Sequence, residues 1–517
     1  CFRRLISRHE SLRTSFWFKE NEPVQRVHEQ VEIRIENYKI PNPNAGVKVE
    51  DEVPCGKVLN VVGEGQAESS PLYCQGRGEV SSLLYFQGSG EVSSPVSSET
   101  PVSIETIIQA FIRPFDLSHA PLLRVGLIEL YEGGRTGTEN RSGHSILMVG
   151  LPHIIADGVS IELLLKDFAD LVKGEEPGPL KIRCRDYASW WGRQRDRENI
   201  EKLSMYWREV FRGEIPVLQL PVDYPRPAVQ VFEGETLGFE LSAGQTRALN
   251  RVAQENGTTL FMILLAIYTV FLSKLSGQED IVVGTPVAGR DHHDLERIMG
   301  VFINTLGLRN YPKGDLAFPE FLEEVKKRTL HAFENQAYPY EDLVDIVASG
   351  QREASRNHVF DSMFVLQNPG IREREIPGLK IIPYPYNHKT SKFDLTLQAQ
   401  DVKGKLMLRF EYCTKLFKPE TIEAFGNYFR ELIRRVLENP GDKLCRLEIL
   451  PPQEREQIFH EFNHPRVRYP RETVAELFSR QVAETPHRVV CVDRGNYITY
   501  QNLDKRAAEL AKLIEEL

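Results

Sequence analysis

Two periods of apolar residues alternate along this chain. Every-second-residue or continuous β-branched runs predict strands, and apolar residues three and four apart predict helices. In the first half, Cys1–Phe16 reads as the end of a helix and Val24–Ile35 as an alternating strand. Ile104–Phe111 reads as a helix, and Leu122–Leu130 and Ser145–Leu151 read as strands. Ser160–Val172 follows as a helix with Ser160 placed to cap it, and Trp190–Arg212 as a further helical stretch. The proline-rich break Asp223–Pro227 (DYPRP) marks the crossing into a second half of the same style. There the pattern predicts a strand end at Phe239–Leu241, helices over Ala243–Asn256 and Leu260–Leu275, and a short strand at Ile281–Pro286. A helix over Phe318–Gln336, strands at His358–Gln367 and Leu406–Tyr412, and a helix over Thr421–Leu437 follow. Strands alternate with helices in both halves, so the expected class is α/β, in two lobes.

Two stretches depart from this pattern. From about residue 42 to 103 the chain is rich in Gly, Ser, Glu and Val and holds a tandem repeat, Leu72–Leu83 followed by Leu84–Pro95. Such a segment buries too little apolar surface to offset its ordering entropy, which predicts a disordered insertion with no catalytic role. After Pro440 the chain changes again. Residues 450–472 read as a polar linker, and 473–517 as helix, two short strands and helix, too short to close a large core of their own.

Composition narrows the function. The apolar fraction of 41% and charged fraction of 26% are those of a soluble globular protein. Lys plus Arg number 64 against 73 Asp plus Glu, a net charge of −9, which argues against a general nucleic-acid binder. The longest apolar run, Leu260–Leu272, falls short of the roughly 20 residues that span a bilayer, so no membrane association is expected. Seven scattered cysteines without a Cys-x-x-Cys pair point to a reducing, cytoplasmic setting. The chain opens on Cys1, so a missing N-terminus is expected.

The sharpest chemical feature is LPHIIADGVS, Leu151–Ser160. A strand runs into His153, then Asp157 and Gly158, then a helix start. An imidazole at a strand end can accept or steer a proton near neutral pH. Asp157 can brace the loop by pairing with an arginine. His144 and His119 are too far off to give metal-ligand spacing, and no Gly-x-Ser-x-Gly elbow or Walker loop is present.

Several motifs, in one order, resemble the condensation domain of nonribosomal peptide synthetases. Arg8–Phe16 (RHESLRTSF) resembles its second core motif. Leu151–Gly158 resembles the His-His-x-x-x-Asp-Gly signature shared with chloramphenicol acetyltransferase-like acyltransferases. Asp186–Trp190 (DYASW), Gly300–Arg309 (GVFINTLGLR), Asn335–Glu341 (NQAYPYE) and Arg352–Asn357 (REASRN) resemble four further motifs. FDLSHAPLLRV, GTPVAGR and KFDLTL are also typical. Thr473–Leu517 resembles the first stretch of an adenylation domain, without its ATP loop.

The resemblance implies two chloramphenicol acetyltransferase-like α/β sandwich lobes, residues 1–222 and 223–449, in a V-shaped pseudo-dimer with a tunnel between them. It implies an acyltransferase-type enzyme that forms an amide bond between donor and acceptor thioesters. Phosphopantetheine would be supplied by donor and acceptor peptidyl carrier domains, with no cofactor or metal bound by this chain and an adjacent adenylation domain as partner. His153 is the implied catalytic residue. Asp157 would pair with an arginine, Arg290 first and Arg13 second. Gly158 would permit close backbone approach, Asn304 would line the channel, and Ser355–Asn357 would support it. Two positions depart from the family pattern: Pro152 stands where the first His is usual, and Asn335 replaces a His. Epimerisation, other acyl transfer within the superfamily, and a catalytically inactive carrier-docking module are the alternatives.

Overall fold

The computed structural model describes residues 1–20, 22–41, 58–59, 61–62, 79–86, 103–132, 140–194, 197–347, 353–367, 374–376, 379–386, 388–462, 471–493 and 495–516. These form two units, Cys1–Leu450 and Pro451–Leu517.

In the first unit, the helix Phe2–Arg8 and a 3-10 turn lead into a hairpin of Thr14–Lys19 and Glu22–Val27. The strand Asn140–Pro152 is central to the N-terminal sheet. Arg124–Glu132 pairs antiparallel along one side of it and Glu79–Phe86 along the other. Its stretch Ile146–Leu151 is buried, as expected of a continuous apolar run with neighbours on both edges. Glu79–Phe86 corrects the expectation of a wholly disordered insertion. The free edge of Asn140–Pro152 offers a row of backbone donors and acceptors, and that pairing orders a segment whose composition alone would not. The rest of the insertion, apart from short strands at Val58–Leu59 and Val61–Val62, lies outside the described residues.

The C-terminal half holds a six-stranded mixed sheet in the order Asn304–Asn310, Ile281–Val287, Ser362–Gln367, Leu395–Val402, Lys405–Cys413 and Gly234–Glu240. Its core includes the helix Leu260–Ser276, buried over Met262–Leu272 on every face, and the inner faces of Phe318–Glu334 and Pro419–Glu438. Thr259 caps the first of these helices, and Gly277, left-handed at φ 71°, ends it. At its centre Phe239, Phe271, Phe410 and Phe429 pack edge-on and tilted, with centroids 5.4 Å apart for Phe271–Phe429 and 6.0 Å for Phe410–Phe429.

Chain halves and packing do not coincide. Leu379–Ile381, from the second half, pairs parallel with Val58–Leu59. Ile376, Leu379, Ile381 and Met299 are buried among the residues of the N-terminal core. Trp190–Arg212, expected as one helical stretch, is two helices, Cys184–Gln194 and Arg197–Val210.

The second unit contains the helix Val474–Glu484, opened by a reciprocal Thr473–Glu476 capping box, a hairpin of Val489–Asp493 and Asn496–Thr499, and the helix Tyr500–Glu515. Neither helix buries a residue, and Val474 is 85% exposed. Among the described residues, no single helix is long and apolar enough to cross a membrane.

Truncating the central aromatic packing tests this core. Phe429→Ala should lower stability by about 3–5 kcal/mol, read from the urea midpoint, because four aromatic neighbours then line a cavity. A loss below about 1 kcal/mol would contradict the packing described.

Candidate functional site

The strand Asn140–Pro152 delivers His153 into a single 3-10 turn, His153–Ile155. Pro152 fits the turn's entry at φ −74°, a value its ring fixes anyway. The helix Gly158–Lys173 begins three residues after the turn. Its cap is Asp157, not Ser160: the Asp157 carboxylate accepts the Ser160 N–H at 2.8 Å. Gly158 opens the helix without left-handed backbone. The glycine that the site requires is Gly289. It has φ 60°, and a Cβ there would meet the Phe302 carbonyl oxygen at 1.8 Å.

That left-handed residue turns the chain so that Arg290 reaches Asp157. Arg290 Nη2 donates to Asp157 Oδ1 at 2.9 Å and to Oδ2 at 3.1 Å. The two side chains are 4% and 2% exposed. Arg290 Nη1 donates to the carbonyl oxygen of Ile298 at 2.8 Å, and its guanidinium stacks on Phe302 at 4.1 Å. Asp157 Oδ2 also accepts the Phe302 N–H at 3.2 Å. Arg13, the second candidate partner, is engaged elsewhere: it donates to the His28 carbonyl oxygen and lies 3.6 Å from Glu10.

His153 is buried, with 9% of its surface exposed. A small hollow of about 40 Å³ adjoins the turn, lined by Glu10, Phe16, Ile154, Ile155, Cys184 and Val301 among others. A larger one, about 300 Å³, is lined by Tyr206, Arg309, Tyr311 and Arg328 and includes no residue of the histidine turn. Arg8 and His9 both bind Asp167 on the helix that follows the turn, at 2.7 and 2.9 Å.

Asn304 is half-buried and held by backbone groups. Its amide donates to the carbonyl oxygens of Gln336 and Tyr338 at 2.7 and 2.6 Å and accepts the N–H groups of Thr305 and Tyr340. Every hydrogen-bonding position of its side chain is therefore committed to backbone. Tyr338 is buried in the C-terminal core. His292 and His293 are solvent-exposed beside Asp294.

A second ionic cluster surrounds Ser355–Asn357. Arg356 donates to Asp361 at 2.6 Å, Arg226 of the DYPRP segment chelates Asp394, and Asn357 donates to the Lys392 carbonyl oxygen at 3.2 Å. Burial, with the Asp394 charge beside it, pushes the Asp361 carboxyl up to about 6. Ser160, Gly300 and Phe302 escaped the reading of the sequence as site residues. The Asp157–Ser160 spacing, cap and third helical residue, was the available signal.

The condensation domain family profile matches residues 91–459. Gramicidin S synthase 2 of Brevibacillus brevis is 38% identical over 515 residues, covering 99% of this chain and 10% of that protein. Tyrocidine synthase 3 of Brevibacillus parabrevis is also 38% identical, over 99% of this chain and 7% of its own length. The chain thus spans about a tenth or less of these relatives. In structure, a four-domain nonribosomal peptide synthetase bound to AMP and glycine matches with a TM-score of 0.68 at 20% identity, over all of this chain and 35% of that one. At that identity the likeness establishes the fold, which is the mixed α/β, chloramphenicol acetyltransferase-like fold of condensation domains.

Two outcomes follow from these ion pairs. Asp157→Ala leaves Arg290 buried without its partner and should cost about 3–5 kcal/mol in chemical denaturation; an unchanged midpoint would refute the geometry. Asp361 binds its proton more tightly folded than unfolded. Its contribution is therefore greatest below its unfolded value near 4 and is lost as pH rises through about 6. Asp361→Asn should flatten that part of a pH–stability profile, and an unaltered profile would count against the cluster.

Proposed function

Because the chain belongs to the condensation domain family of nonribosomal peptide synthetases, we propose that it joins two carrier-bound substrates through an amide bond. The family match over residues 91–459 is the observation that carries this reading. The donor is an aminoacyl or peptidyl thioester and the acceptor an aminoacyl thioester, each on the phosphopantetheine arm of a carrier domain. The acceptor amine attacks the donor carbonyl carbon. A C–N bond forms, the C–S bond breaks, the donor pantetheine leaves as a thiol, and the extended chain stays on the acceptor arm. No covalent intermediate with the protein is needed, so much of the acceleration comes from aligning two tethered reactants.

His153 serves the attacking amine, either by taking its proton or by holding it and the tetrahedral intermediate through hydrogen bonds. Its place at the end of a sheet strand, in a turn next to the Asp157–Arg290 pair, supports that role. Residues 1–222 and 223–449 are the two lobes in this reading, 450–472 the linker, and Thr473–Leu517 the start of an adenylation domain.

Pro152, where the family usually has a histidine, favours a second reading, a domain that docks carriers without catalysing. Mixing the protein with two aminoacyl-loaded carrier proteins and following dipeptidyl thioester by mass spectrometry separates the two. We expect product, and a fall of about 100-fold or more in its rate for His153→Ala. Carrier binding without product would establish the docking reading instead, and α-proton exchange without coupling would indicate epimerisation.

A further inference from the structure

We infer that Ser160 is a positioning residue, the joint through which the Gly300–Asn304 segment of the second half fixes the histidine turn. The inference rests on the reading of His153 as the site's histidine and deepens it.

Ser160 is fully buried, at the third position of the helix that follows the turn. Its hydroxyl has four partners. It donates toward Asp157 Oδ1 at 2.7 Å and the Gly300 carbonyl oxygen at 2.9 Å, and accepts from the Gly300 N–H at 3.0 Å and Arg290 Nη2 at 3.2 Å. One proton and two lone pairs serve three of these contacts at a time. The carboxylate, being charged, holds the proton more strongly than the Gly300 carbonyl does. A serine 140 residues from Gly300 in sequence thus holds that glycine's N–H, with the Gly300 carbonyl oxygen 2.9 Å away as the competing acceptor.

The grip extends in both directions. Toward the histidine, Asp157 holds the Ser160 N–H and so fixes the helix start just after the turn. Toward the second half, Phe302 N–H sits on Asp157, and two residues on, Asn304 holds the Gln336–Tyr340 segment through three hydrogen bonds. The path runs along the backbone from the histidine turn to Asp157, by hydrogen bonds through Ser160 to Gly300, along the backbone past Phe302 to Asn304, and by a hydrogen bond to Tyr340. A simple cap would need only a bond to its own helix, and Asp157 already supplies that. The Ser160 hydroxyl gives its proton to Asp157 and its lone pairs to Gly300 and Arg290 of the other half.

Hydrogen exchange and kinetics on the full chain test this together. In Ser160→Ala, amide exchange should quicken about ten-fold or more at Gly300, and also at Phe302 and Tyr340, whose acceptors are not on Ser160. With loaded carriers, kcat should fall about ten-fold while KM for both carriers holds. Ser160→Thr, which keeps the hydroxyl, should recover most of both. Faster exchange confined to Gly300, or an unchanged kcat, would overturn the inference. Should Ser160→Ala be insoluble, Ser160→Cys keeps the volume with a weaker hydrogen-bonding group and is read the same way. If the unmodified protein makes no dipeptide, the catalytic reading fails by itself, and the exchange pattern alone decides whether Ser160 links the two segments.

Discussion

Removing a carboxylate and a guanidinium from water costs several kcal/mol for each ion, and Asp157 and Arg290 are almost wholly removed. Their attraction offsets that cost only because most of the remaining hydrogen-bonding positions are also filled, Arg290 Nε being the buried exception. Asp157 accepts from Arg290, from the Ser160 amide and hydroxyl, and from the Phe302 amide. Arg290 spends its other terminal nitrogen on backbone carbonyls and its flat face on Phe302. Such a pair is a poor source of net stability and a strong constraint on geometry. Any displacement between the halves leaves a buried charge without its partner.

That constraint explains how a histidine in a short turn can be held in place. The turn is bounded by a sheet strand on one side and a capped helix on the other, and the cap is one member of the ion pair. Under the proposed function such a mounting suits a group that meets two flexible tethered substrates, since alignment to within a fraction of an ångström would carry much of the acceleration. The second cluster, Arg226 and Arg356 with Asp361 and Asp394, does related work away from the turn. It ties the DYPRP connector to strands of the C-terminal sheet. The crossing strand Leu379–Ile381 adds an apolar tie in the other direction.

Much of this molecule is legible in its residues. The alternating and helical periods locate most strands and helices of the first unit to within a few positions, because burial of one face imposes those periods wherever the element sits. His153, Asp157 and the candidate Arg290 come from the order of the motifs. What period and motif cannot give is contact between distant positions. Ser160 and Asp157 are both good caps, so local preference does not choose between them. The choice falls to Asp157 because Arg290, 133 residues away, meets its carboxylate there.

The same physics separates the two kinds of knowledge elsewhere. Local sequence determined which segments could be strands or helices, which stretch is poor in core residues, and which side chains carry useful chemistry. Tertiary structure decided that Glu79–Phe86 finds a strand edge, that Asn304 staples a loop, and that Arg13 turns to His28. Those outcomes depend on hydrogen bonds between positions that only folding brings together, and no short window of sequence contains both partners.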